Sequence, residues 1–376
     1  MKNYWPLALI FLAMFNPQAD VHWPRWALIQ MGLFGAILYH YRNRYHWSLL
    51  FTGFVTGMSS IVITQWRFNW LYMGKFKLNE IAFVQNVAAQ GFMAMMILCL
   101  FLSQAKPETL KKIFRAFYFL SVFHSLLWIS QKICGYSIWN HNGLPEWGLF
   151  GNTSMGACMN GIMISGIFLK QNKYVRVISA IALVIPVYWA QSSMGYLCLI
   201  TTLIVYICFE CGATRKEKIF MITGSLAMGL FVGQFFDYQF YRFTKIDRWD
   251  IWSLYLNWWS DNANHISGTG FGSFSSFGPG IQLATKFQRS HGGLYLWLHS
   301  DWLQILFELG YLGLISYLLT AFYTLKQAIK EKNHILLASA SSFIVCMAGN
   351  YPTNLALFSF LGLTICFTLL KKRVAE

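Results

Sequence analysis

His299-Ser300-Asp301-Trp302-Leu303-Gln304-Ile305-Leu306-Phe307-Glu308-Leu309-Gly310-Tyr311-Leu312-Gly313 sets a histidine, an aspartate and a glutamate at the mouth and in the first half of a hydrophobic run that continues to Leu325. A carboxylate within a membrane span costs about 2.5 kcal/mol or more, so its presence marks a functional site by default. On a helix, Gly310 and Gly313 fall within roughly 40° of the face carrying His299, which predicts that another helix backbone approaches closely beneath the histidine. Glu308 falls on the opposite face, about 13 Å deeper at 1.5 Å per residue, and is expected to lock this helix to a neighbour. Asp301, at the helix start, complements the helix dipole.

The whole chain supports reading that run as a span. Apolar residues make up 56% and charged residues 11%, and the mean hydropathy is +0.44, which excludes a soluble globular chain. Sixteen Trp and 19 Tyr suit interfacial belts, where the ring sits among headgroups and its polar tip reaches water. A net charge of +15 would also fit nucleic acid. The basic residues, however, fall in short clusters between apolar runs, the pattern that sets topology, so the expected partners are membrane lipids and not nucleic acid. Met1-Lys2-Asn3 leads into an apolar segment with no small-residue cleavage site, so that segment is expected to stay as the first span. The eight cysteines lie mostly in apolar runs, as small hydrophobes. Cys208-Phe-Glu-Cys211 has neither a second pair nor a nearby histidine, and no metal site or cofactor is expected.

Measured against a requirement of about 20 residues per span, the apolar runs predict about twelve transmembrane helices. They lie near 5–16, 25–40, 47–66, 80–102, 114–133, 153–169, 177–191, 194–209, 219–236, 299–324, 334–349 and 354–370. The expected fold is all-α, a single polytopic membrane domain over residues 1–376. With both termini cytoplasmic, about 19 basic residues fall inside and about 10 outside, which satisfies the positive-inside bias. One outer loop, residues 237–298, far exceeds the usual length, and long loops are normally functional. It carries Arg242, Lys245, Arg248, Lys286 and Arg289 on the side where cations are disfavoured, with His265 and His291, and so calls for an anionic partner.

Within this loop, Asp247 to Trp259 reads as a short helix at the membrane surface, with Asp247 and Asp250 spaced as in a capping box. Arg248, Trp252, Tyr255 and Trp259 share a stripe at helical spacing, which suits membrane anchoring better than sugar stacking. Gly268-Thr269-Gly270-Phe271-Gly272-Ser273-Phe274 follows, a turn whose backbone amides are able to cradle a phosphate. Earlier, Gly148-Leu149-Phe150-Gly151-Asn152-Thr153-Ser154-Met155-Gly156 turns the chain into the sixth span. Gln191-Ser192-Ser193-Met194-Gly195 makes a tight outer turn.

Taken in order over residues 148–325, these stretches resemble the O-antigen ligase and O-antigen polymerase superfamily of bacterial envelope glycosyltransferases. Members carry a Gly-x-x-Gly-Asn-type turn, a Ser-Arg turn and a Gly-Arg-x-x-x-Trp helix running into Gly-x-Gly-x-x-Phe. A His-Asn/Ser-x-x-Leu-x-x-x-x-Glu-x-Gly-x-x-Gly helix comes last, and it is the specific motif. His299, Leu303, Glu308, Gly310 and Gly313 match it at spacing. The chain departs from the pattern at Ser193, where many members have arginine, and at Asp247, where glycine is usual.

The resemblance implies transfer of a glycan from undecaprenyl diphosphate to another glycan or to lipid A core, at the periplasmic face of the bacterial inner membrane. It assigns Arg248 and His299 the catalytic parts. The diphosphate and glycan would meet Arg242, Lys245, Arg289, Trp252, Gly270, Gly272 and Ser193. Asn152, Asp301, Glu308, Gly310 and Gly313 would support them. The chemistry suits these residue types. Guanidinium binds phosphate oxygens in pairs without a metal, and imidazole titrates near neutrality and accepts the acceptor hydroxyl's proton. The reaction would be inverting and metal-independent. Polymerase, ligase and transfer to protein remain open within this class, and a lipid-linked sugar flippase or a non-catalytic assembly subunit stand as rivals outside it. Transport predicts repeated halves with midplane ionisable groups, whereas here the charges gather on one outer loop.

Overall fold

The structure, a computed structural model, describes residues 102, 107–137, 139–141, 144–149, 153–169, 172–210, 214, 247–270, 274, 278, 281–282, 285, 298, 300–349 and 356–370. Within these residues the chain is helical apart from one small hairpin. The helices are α1 (Pro107–Cys134), α2 (Thr153–Met163, continued by a 3₁₀ turn at Ile164–Phe168), α3 (Lys173–Ala190), α4 (Ser193–Glu210), α5 (Asp247–Asn262), α6 (Asp301–Lys330), α7 (His334–Gly349) and α8 (Ala356–Leu370). Strands β1 (Trp139–His141) and β2 (Leu144–Glu146) pair antiparallel between α1 and α2.

Four of these helices, α1, α3, α4 and α6, are long and apolar enough to cross a membrane. Seven of the expected spans fall on described helices, of which these four have the length and hydropathy of a span, while α2, α7 and α8 are shorter. Those near 5–16, 25–40, 47–66 and 219–236, and all but the last residue of 80–102, lie outside the described residues. The separation of α3 from α4 has a local cause. Asn172 caps the start of α3, its side chain accepting from the Tyr174 amide at 2.9 Å, and Gln191 ends the helix in the left-handed conformation at φ 48°. Ser192 then accepts from the Gly195 amide at 3.3 Å, a new N-terminus two residues on.

The core is built on α4, with α2 and α7 packed on it, and α1 and α3 closing around α2. Gly161 of α2 lies against the backbone of Leu199 and Gly195, and Gly195 lies against Ala157, so α2 and α4 approach at backbone distance. Serines fasten α7 across this pair. Ser339 Oγ donates to the Ile162 carbonyl at 3.0 Å and lies 2.9 Å from Ser165 Oγ, and Ser342 Oγ donates to the Cys198 carbonyl at 2.9 Å. These contacts run α7 antiparallel to α2 and α4.

A second, separate cluster joins α5 to the beginning of α6. Ile251, Tyr255 and Trp259 are buried against Phe274, Ile281, Leu298 and Phe307. The stripe read from sequence as anchoring is thus, at Tyr255 and Trp259, a packing face. Tyr255 meets Phe274 edge-on at 4.6 Å between ring centroids, and Trp258 stacks on Phe307 at 5.6 Å.

Candidate functional site

Two of the stretches singled out in sequence are stitched together. Gly310 breaks the helical conformation inside α6 with φ 64° and ψ −161°, a region only glycine occupies readily. Into that break fits the turn at 264–270. The Thr269 amide donates to the Phe307 carbonyl at 3.0 Å and the Gly270 amide to the Glu308 carbonyl at 2.8 Å. In return, the Tyr311 and Leu312 amides donate to the His265 and Ile266 carbonyls at 2.8 and 3.1 Å. The interrupted helix thereby regains partners for the groups its kink releases.

The glycines make this closeness possible. A Cβ on Gly310 would lie 2.5 Å from the Gly268 nitrogen, and one on Gly268 would lie 2.5 Å from the Gly310 nitrogen. Gly313 serves the same kink from below, because a Cβ there would collide with the Leu309 side chain. What approaches the glycine face is therefore the loop backbone, where the sequence predicted a neighbouring helix. The amides of Gly268, Thr269 and Gly270 also differ from the expected phosphate cradle. Gly268 donates to the Asn264 carbonyl at 2.7 Å, and the other two are taken by α6, so none of the three points at a ligand.

Glu308 is buried, and its carboxylate accepts from the Phe274 amide at 3.2 Å and from Gln304 Nε2 at 3.1 Å. It does lock α6 to a neighbour, and the neighbour is the same loop. Asp301 is buried in the first turn of α6 behind the cap residue Ser300, whose hydroxyl faces the Leu303 amide at 3.5 Å. The indole N–H of Trp252 donates to the Leu298 carbonyl at 2.6 Å, pinning α5 beside the residues that lead into α6.

Arg248 lies in the first turn of α5, four residues before Trp252 and so on the same helix face. His299, Arg242, Lys245, Arg289, Gly272 and Asn152 lie outside the described residues. Ser193 is exposed as the first residue of α4, and its neighbour Ser192 meets Ser154 of α2 at 2.8 Å between hydroxyls. No family model matches the chain, and no curated protein matches it.

Sequence reasoning missed His124. Its ring is fully buried on α1 and packs against Gly148 and Gly156, with Nδ1 accepting from the Leu149 amide at 2.8 Å. Gly148 (φ 81°) and Gly156 leave the room, since a Cβ at either would press into the imidazole. Gln131, two turns along α1, accepts from the Gly148 amide at 2.6 Å. The signal was present, an ionisable group within an apolar run, but it stood alone without a motif. The sequence also gave no reason to group Cys158, Cys198 and Cys346, whose Sγ atoms all lie within 4.8 Å of one another between α2, α4 and α7.

Proposed function

We propose that the protein is a membrane glycosyltransferase of the O-antigen polymerase or ligase type, moving a glycan from undecaprenyl diphosphate to a glycan or lipid A core acceptor at the periplasmic face. The observation that carries this reading is the 2.6 Å bond from Trp252 to the Leu298 carbonyl. It ties the helix that begins with Asp247-Arg248 to the residue preceding His299, so the two motifs assigned to diphosphate and acceptor share one body of structure.

The chemistry follows from the residue types. Guanidinium from Arg248 would neutralise the charge that builds on the departing diphosphate, with Arg242, Lys245 or Arg289 supplying further positive charge. Preorganised contacts of this kind contribute several kcal/mol in a water-poor site. The His299 imidazole would take the acceptor hydroxyl's proton as the anomeric C–O bond to diphosphate breaks, a contribution of about 10²–10⁴-fold. Glu308, Gly310 and Gly313 support this arrangement from below by fixing the loop on α6.

The test replaces each member at constant protein level. His299→Ala and Arg248→Ala are expected to abolish surface polysaccharide, and Arg248→Lys to restore little of it, because a point charge cannot reproduce the planar fork. Trp252→Phe should lower transfer while leaving protein abundance near normal. Normal polysaccharide from both alanine variants would refute the enzymatic reading and leave an assembly subunit in its place. Loss of long chains from capped core would mark a polymerase, and long chains stranded on undecaprenyl diphosphate a ligase.

A further inference from the structure

We propose that Cys158, Cys198 and Cys346 form a binding site for one soft monovalent cation, copper(I), independent of the glycan reading. Each residue comes from a different helix, all three are fully buried, and their sulfur atoms lie mutually within 4.8 Å. The close approach of α2, α4 and α7 requires small residues there, and alanine or glycine would satisfy it, as Ala157, Gly161 and Gly195 do. Convergence of three thiols is what helix packing does not require.

The surroundings select the ion. Thiol sulfur is a soft ligand that favours copper(I), and copper(I) accepts two or three sulfurs. Among the described residues no histidine, aspartate or glutamate joins the cluster, so the fourth ligand of a structural zinc site is missing from it. Charge points the same way. An uncompensated charge in this apolar interior is costly. With copper(I), one S–H bond breaks, one Cu–S bond forms and one proton leaves to solvent, while the other two thiols coordinate through lone pairs. Copper stays monovalent, nothing is oxidised, and the site is neutral before and after.

The helices also hold the cluster in place and offer a way in. The Ser342 hydroxyl donates to the Cys198 carbonyl at 2.9 Å, and the Cys198 thiol donates to the Ser342 carbonyl at 3.8 Å, which fixes α4 against α7 beside the cluster. Met155 and Met194 are buried one helical turn before Cys158 and Cys198, toward the end marked by the Ser154–Ser192 contact. Their thioethers are weak soft ligands suited to passing the ion inward.

The experiment titrates the purified full-length protein in detergent, without oxygen, with copper(I) against a chromophoric chelator. The expected result is one copper(I) bound and one proton released per chain, with a sulfur-only shell in the copper X-ray absorption spectrum. Cys158→Ser, Cys198→Ser and Cys346→Ser should each weaken binding by about tenfold or more. Cys134→Ser, exposed at the end of α1, should leave it unchanged. A nitrogen or oxygen shell in the wild type, uptake well below one per chain, or equal affinity across all variants would overturn the proposal. If the serine variants fail to stay monodisperse, the wild-type absorption spectrum and stoichiometry decide alone.

Discussion

At the scale of single residues, the glycines divide into those that are merely permitted and those that are required. Gly135 takes φ 68° at the end of α1 with nothing near its missing Cβ, so Gly135→Ala should cost only the left-handed conformation, about 1–2 kcal/mol. Gly310→Ala should add a collision with the backbone at Gly268 and Ile266, for a total of about 2–5 kcal/mol. Thermal unfolding in detergent checks the pair, and equal losses would show that the loop yields. His124→Ala should cost about 3 kcal/mol or more in the same assay, since it leaves a cavity and takes the acceptor from the buried Leu149 amide. The spacing of Gly310 and Gly313 was legible in sequence as a demand for close approach. What approaches was not, because the partner, the turn at 264–270, comes from a loop with no helical period to betray it. His124 escaped for the opposite reason: its partner is backbone, which carries no sequence signature.

At the scale of elements, the seam between the loop and α6 is held by its four backbone hydrogen bonds and by Glu308. Its carboxylate accepts from the loop backbone at the Phe274 amide. Glu308→Ala strands that amide, at about 1–3 kcal/mol, and removes one acceptor from the Gln304 amide. The expected outcome is amide exchange over residues 264–274 at least tenfold faster, with exchange in α4 and α7 unchanged. Glu308→Gln keeps a carbonyl acceptor and should fall much closer to the parent protein. Uniform acceleration throughout the chain would instead mean that Glu308 supports the whole fold. Periodicity located these elements well: α5 was expected from 247 to 259 and runs to 262, and α6 was expected from 299 and starts at 301. The break inside α6 was hidden, since glycine is ordinary in membrane helices and only the ψ angle at 310 reveals its work.

At the scale of the molecule, that break resolves the cost that first singled out this stretch. Alone, the part of α6 from Tyr311 to Lys330 has 20 residues, about 30 Å at 1.5 Å per residue, which is the thickness of the hydrocarbon layer. Its large apolar side chains, among them Leu312, Ile315, Leu318, Leu319 and Phe322, are exposed, as a lipid-facing surface demands. Asp301 and Glu308 both precede the break and are buried, in a part of α6 whose Phe307 joins the α5 cluster and whose Ile305 packs in the main core. Both carboxylates are buried by protein, and the proposed topology would set α5 and the start of α6 toward the outer side, with Lys326, Lys330 and Lys332 toward the inner side. Single cysteines test it in a background where the native ones are replaced by serine. Ser267→Cys should react with a membrane-impermeant maleimide added to intact spheroplasts, and Glu331→Cys only after the membrane is opened. Reaction of both from the same side would leave α6 lying along the membrane, and with it would fall the assignment of α5 and the start of α6 to the outer face, on which access of a lipid diphosphate to Arg248 and His299 depends.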